Sequence, residues 1–224
     1  MKSEKVIVGA ETCSAIVFLS GLFILLVSLS ANAFAVGNEL SQGEIYLEKF
    51  LSDTQTLEAG FQQTLRTHDG EVLQETEGVF YLNRPGKFRW NYHSPYEQVI
   101  VSDGVRIWIY DVELQQVTVQ KSAGLPATPM ALLENSTTLY KNFKVIPLDD
   151  RDGLFRLKLQ SRSAESDFGE IVVGVDAEGL RFMQLHDQFE QVTDIVFSDI
   201  ETNKKLAQEI FEFTPPDGAD VFGG

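Results

Sequence analysis

From residue 60 onward the chain alternates apolar and polar positions with a period of two, interrupted at short intervals by turn residues. That is the pattern of half-buried β-strands. It predicts strands over 58–67, 73–82, 87–92, 97–102, 105–111, 115–120, 141–147, 154–160, 170–175, 180–186, 192–198 and 211–214. The breaks have turn chemistry of their own: Asp69-Gly70, Arg84-Pro85-Gly86, Asp103-Gly104, Asp152-Gly153 and Glu178-Gly179. Connections this short force neighbouring strands to be antiparallel, because a parallel pair needs a crossover of about a dozen residues. A long antiparallel meander follows.

Two stretches depart from the strand period. Ser41-Gln42-Gly43-Glu44 reads as a capping box flanked by Leu40 and Ile45 as a hydrophobic staple, and Leu47, Leu51, Thr54 and Leu57 then recur at helical spacing. The spacing predicts an amphipathic helix of about four turns, laid across something apolar. Between 122 and 140, Gly124, Pro126 and Pro129 stop the strands, and Met130-Ala131-Leu132-Leu133-Glu134 forms a brief apolar helix with Thr128 ahead of it. A helix that short needs a surface, so it is either a lid or a packed crossover.

The faces of the strands say more. Phe88, Trp90 and Tyr92 share one face of their strand, with Arg89 and Asn91 on the other. In 105–110 both faces are apolar: Val105, Ile107 and Ile109 on one, Trp108 and Tyr110 on the other. Such a strand is either covered twice as ordinary core or has one face lining a cavity. Two or three short helices are too few to cover about ten strands, which leaves a groove. The predicted fold is therefore mainly β, an incompletely closed antiparallel barrel with about three short helices over its concave face.

Composition then narrows the function. Residues 15–30 contain no charge, Lys2 and Lys5 precede them, and Ala31-Asn32-Ala33 and Ala33-Phe34-Ala35 follow as small-x-small sites. This reads as an export signal over residues 1–35, cleaved after Ala33 or Ala35, ahead of a single domain over 36–224. The apolar run is shorter than the ~20 residues of a spanning helix. Cleavage removes Cys13, the single cysteine, so the mature chain is expected to hold no disulfide and no thiolate metal site. No lipidation cysteine follows the apolar run, and the mature protein is expected to be soluble, unanchored and monomeric. The signal carries Lys2 and Lys5 against Glu4 and Glu11, so its loss leaves the net charge at −15. A charge of that sign disfavours nucleic acid as a partner.

Catalytic chemistry is scarce. His68, His93 and His186 are far apart in sequence, no metal-binding, nucleophile-elbow or P-loop motif occurs, and Asp149-Asp150 beside Arg151 reads as a solvated turn. A non-enzymatic protein without cofactor or metal is predicted.

One set of residues points further. Gly78-Val79-Phe80-Tyr81-Leu82-Asn83-Arg84-Pro85-Gly86-Lys87-Phe88-Arg89-Trp90-Asn91-Tyr92, then Pro95, then 99–110 with Ser102-Asp103-Gly104, resembles the LolA family of periplasmic outer-membrane lipoprotein carriers. Phe61-Gln62-Gln63, Thr128-Pro129-Met130 and Phe211-Glu212-Phe213-Thr214-Pro215-Pro216 add to the resemblance, which spans the mature chain in order. It implies a half-barrel whose concave, helix-covered face holds lipoprotein acyl chains. It implies that Arg84 hydrogen-bonds to the lid and gates the cavity, and that Leu51, Phe88, Trp90, Met130 and Leu133 contact the acyl chains. Trp108 and Tyr110 join that cavity set because their strand is apolar on both faces. The implied partners are acylated outer-membrane lipoproteins, the inner-membrane LolCDE transporter and the outer-membrane receptor LolB. The rival readings are a LolB-like receptor or a lipid-binding sensor of the same fold, and, from another class, a lipid hydrolase.

Overall fold

The computed structural model describes residues 39–122, 135–163 and 168–223. The predicted export signal and the 130–134 helix lie outside the described residues. Helix α1 spans Gln42–Asp53 and starts on the expected capping box: Ser41 N donates to Glu44 Oε2 at 2.8 Å, and Glu44 N donates to Ser41 Oγ at 3.3 Å. It stops a turn earlier than the sequence spacing predicts, so Leu57 belongs to the first strand. The reason is competition for the backbone after Thr54. Gln55 N donates to Asn203 Oδ1, and the Thr56 hydroxyl to the Lys204 carbonyl, which pulls the chain into extended geometry beside the end of a distant strand.

The strands are β1 (Thr56–Arg66), β2 (Val72–Asn83), β3 (Lys87–Ser94), β4 (Gln98–Asp103), β5 (Arg106–Asp111), β6 (Gln116–Lys121), β7 (Phe143–Pro147), β8 (Phe155–Ser161), β9 (Phe168–Asp176), β10 (Gly179–Asp187), β11 (Val192–Thr202) and β12 (Asp220–Gly223). They form one sheet in the order β12-β6-β5-β4-β3-β2-β1-β11-β10-β9-β8-β7. Neighbours are antiparallel except β12, which runs parallel to β6. The chain therefore builds two meanders, β1 to β6 and β7 to β11, joined where β1 pairs with β11. β7 and β12 are the two ends of the sheet order, so the sheet does not close on itself.

Helix α2, Ser136–Asn142, was not legible in the sequence pattern. Asn135 caps it by accepting from Thr138 N at 2.9 Å, and Leu139 is its one buried side chain. It takes over residues 141–142, which the strand pattern assigns to β7.

Register partners across a sheet share a face. The row Phe80, Trp90, Ile100, Ile109 runs along the concave face of β2 to β5. With Leu57, Phe61, Leu157, Val173, Met183, Ile195 and Phe197, and with Leu47, Phe50 and Leu51 of α1, it makes one continuous core. The convex row Arg89, Val101, Trp108, Val119 faces the other way.

The predicted strand at 211–214 is absent. Residues Gln208–Phe211 form a 3-10 turn packed on the convex side of β3 and β4, and Phe213 follows in irregular structure. Phe211 and Phe213 alternate like strand residues, yet they bury themselves face-on against the sheet instead of extending its edge. Pro215 and Pro216 then prevent regular pairing until β12.

Gly78 marks a close approach. A Cβ there would lie 1.9 Å from the Asn91 carbonyl oxygen, at the register shift between β2 and β3. Gly78→Ala is expected to cost roughly 1–3 kcal/mol, measured as a lowered denaturation midpoint, while leaving the far meander's spectroscopic features intact below that midpoint.

Candidate functional site

The concave face of the first meander carries a cluster of rings. Phe80 lies 4.3 Å from Trp90, Phe61 lies 4.8 Å from Trp90 and 5.1 Å from Tyr92, and Phe197 lies 6.2 Å from Trp90 (centroid distances). Strands β1, β2, β3 and β11 each contribute, because the β1–β11 pairing sets Phe61 opposite Phe197. Leu51, Phe88 and Trp90 are all buried in the core that includes this cluster. The structure thus brings three of the sequence-selected residues together. Met130 and Leu133 lie outside the described residues.

Trp108 and Tyr110 require a correction. They sit on the convex face, where Phe213 covers them at 6.3 Å and 5.8 Å between ring centroids. Their apolar strand face meets the C-terminal segment, with Val101 and Val117 fully buried beside it. Arg89 ties that segment down, donating from Nη1 to the Ile210 carbonyl at 3.1 Å. The double apolar character of β5 therefore has the ordinary cause, two covered faces. Phe61, Phe80 and Phe197 were missed in exchange. The alternation Leu57, Ala59, Phe61 was available in the sequence, but the pairing of β1 with β11 was not.

Arg84 sits in the turn between β2 and β3 and reaches α1. Its Nη1 donates to the carbonyls of Phe50, at 3.3 Å, and Thr54, while its own backbone N donates to the Gln55 carbonyl at 2.9 Å. The guanidinium carbon stands 5.3 Å from the centroid of the Phe50 ring. The last turn of α1 contains no basic residue, so Arg84 supplies from outside the cation that its carbonyl end favours. Burial lowers the Arg84 pKa to about 10, and the side chain stays charged at neutral pH. The sequence reading expected its partners on the lid. The described partners belong to the end of α1.

Tyr92 closes the cluster on one side, its hydroxyl 3.4 Å from Gln63 Oε1. Burial raises its pKa from 10.0 to about 12. The fold thus holds the phenol proton more tightly than the unfolded chain does. The associated stability is complete below pH 10 and is lost as pH rises towards 12. A spectrophotometric phenolate titration of the folded protein is expected to show one late step that Tyr92→Phe removes.

Among the described residues no group of His, Cys, Asp and Glu is placed to hold a metal ion. No described helix is long and apolar enough to cross a membrane. What the site offers is apolar surface: a curved sheet lined by rings and aliphatic side chains and roofed in part by α1.

Comparisons with known proteins bear on this geometry. Residues 52–214 match the family model described as "Outer membrane lipoprotein carrier protein LolA". A Nitrosospira multiformis protein named outer-membrane lipoprotein carrier protein is 40% identical over 202 residues, covering 89% of this chain and 94% of its own. One of the same name from Methylococcus capsulatus is 40% identical over 177 residues, 79% of this chain and 85% of its own. A crystal structure of an uncharacterized conserved protein from Thermus thermophilus superposes with a TM-score of 0.50 at 14% identity, covering 79% of this chain and 94% of that one. That last likeness concerns the fold alone.

Proposed function

Since this chain belongs to the LolA family of outer-membrane lipoprotein carriers, we propose that it carries acylated lipoproteins across the periplasm, holding their acyl chains against the concave face between α1 and the ring cluster. The carrier works by binding, without catalysing a reaction. It is exported through its N-terminal signal, receives cargo from the inner-membrane LolCDE transporter and passes it to the LolB receptor at the outer membrane.

The observation that carries this reading is the continuous apolar face of an open sheet, with a helix on top of it and a charged latch at the helix end. Exposing a CH₂ group to water costs about 0.8 kcal/mol, so a lipoprotein with two or three acyl chains cannot cross water bare. A lined cavity removes most of that cost without covalent chemistry. In the state described the concave face is packed, with Leu51, Phe88 and Trp90 buried. Cargo entry therefore requires α1 to move away from the sheet, and the closed empty state competes with cargo. That competition weakens apparent affinity by the closure free energy and so favours delivery onward. We assign Arg84 to this gate, because its side chain is the polar tie between the β2–β3 turn and α1.

The test is to incubate the purified mature protein with spheroplasts that synthesise an outer-membrane lipoprotein. The expected result is release of that lipoprotein into the soluble fraction as a one-to-one complex. Absence of release, beside a known carrier that does release it, refutes the carrier reading.

A further inference from the structure

One end of the sheet is built unlike the rest of the surface. The turns at 67–71, 95–97, 111–115 and 187–191 all lie at that end, as the pairings Arg66 with Val72 and Val192, Tyr92 with Gln98 and Asp111 with Gln116 require. The opposite end holds Arg84 and the end of α1. Isolated exposed apolar residues are normal on any protein. Here, among the described residues, seven of the eleven large exposed ones are at or next to this single end: Val72, Leu73, Tyr96, Leu114, Phe189, Val221 and Phe222. Three sit on turn tips, with Phe189 exposed by 84%, Leu114 by 70% and Tyr96 by 59%.

These tips are held in place by their own turns. Asp187 Oδ1 accepts from both Phe189 N and Gln191 N at 2.8 Å, and Asp111 Oδ1 accepts from Leu114 N at 2.9 Å. A ring presented to water on a fixed turn gains nothing for the fold. The same four turns carry Asp69, Glu71, Glu97, Asp111, Glu113, Asp187 and Glu190 and no Lys or Arg. Between Tyr96 and Leu114 a cavity of about 470 Å³ reaches inward to Tyr92 at the margin of the ring cluster. The end is thus apolar at its tips, acidic around them and continuous with the proposed cargo face.

We propose that this end is a docking surface for a protein partner that presents a basic surface around an apolar centre. An anionic bilayer is the other occupant that apolar tips suggest, and the carboxylates oppose it: seven negative groups without a cation repel a surface of the same sign. A basic protein surface gains from both features, with the tips supplying buried anchors and the carboxylates supplying charge complementarity and a fast approach. The proposal rests on the carrier reading above and places the handover beside the cavity that opens at Tyr92.

The test uses the full mature chain and a triple variant, Tyr96→Asp, Leu114→Asp and Phe189→Asp, whose sites are exposed and make no core contact. Three readouts are taken: release of a lipoprotein from spheroplasts, equilibrium binding of a fluorescent fatty acid, and co-sedimentation with phosphatidylglycerol–phosphatidylethanolamine vesicles. The expected result is release slowed by about tenfold or more, unchanged fatty-acid affinity, and no vesicle binding by either protein. Unchanged release by the variant overturns the proposal, and so does vesicle binding by the parent chain that the variant loses. If the parent chain itself releases nothing, the carrier reading fails and the docking proposal fails with it, which separates that outcome from a defect of the variant alone.

Discussion

Arg84→Leu is expected to fold, to accept lipoprotein from the inner membrane and then to retain it. The substitution keeps an apolar stem against the Phe50 ring but deletes the guanidinium that donates to the Phe50 and Thr54 carbonyls. Hydrogen bonds from a charged donor contribute about 1.5–3 kcal/mol each, and partial solvation of the freed carbonyls returns some of that. Losing about 1.5–3 kcal/mol from the closed, empty state alone raises apparent cargo affinity roughly tenfold to a hundredfold, because less free energy is needed to open. The measurement is transfer of a bound lipoprotein to a soluble form of the outer-membrane acceptor. Transfer should fall by a comparable factor while loading continues. A variant that delivers cargo at the parental rate removes Arg84 from the gate and leaves it as a structural latch. Arg84→Lys discriminates further: a single ammonium keeps the charge but not the two-carbonyl geometry, and is expected to be intermediate.

The second large effect separates two tryptophans. Trp90→Ala and Trp108→Ala each remove a large packed ring, and each is expected to destabilise the fold, Trp90 by about 3–5 kcal/mol and the less buried Trp108 by less. Their effects on ligand should diverge. Trp90 stands among Phe61, Phe80 and Phe197 on the concave face, so its loss is expected to weaken fatty-acid binding by about tenfold or more, the equivalent of about 1.4 kcal/mol. Trp108 faces Phe213 on the convex side, so its loss should leave affinity unchanged at temperatures where the variant is folded. Equal losses of affinity in the two variants would mean that the sheet responds as one elastic body, with no separate binding face.

Most of the strand pattern was legible because alternation is a local property. The edges of β1 to β6 and β8 to β11 fall within a few residues of their predicted places, since Asp-Gly and Pro-Gly turns punctuate them. What failed was non-local. The 211–214 segment alternates as a strand does, but whether it adds to an edge or lies on a face depends on what the sheet already presents there, and Trp108 and Tyr110 present a ready apolar surface. Those two side chains were misassigned for the same reason: the sequence shows that both faces of β5 are covered without showing what covers which. Leu57 followed the helical spacing, and Asn203 with Lys204, far along the chain, decided against it. Helix α2 was missed because Ser136, Thr137 and Thr138 are weak helix formers; a capping Asn135 and one buried leucine hold it.

The pairing of β1 with β11 has a kinetic consequence. The two meanders can each form hairpins from near neighbours, but the seam that unites them joins Phe61 to Phe197 and Arg66 to Val192. The parallel pairing of β12 with β6 likewise waits for the last residues of the chain. Contacts at such separation form slowly, after the loop-closure entropy of everything between them has been overcome. A polypeptide that threads through a secretion channel amino end first benefits from that delay: its earliest strand finds its partner only when the eleventh has emerged, so the chain remains threadable until nearly all of it has arrived on the far side.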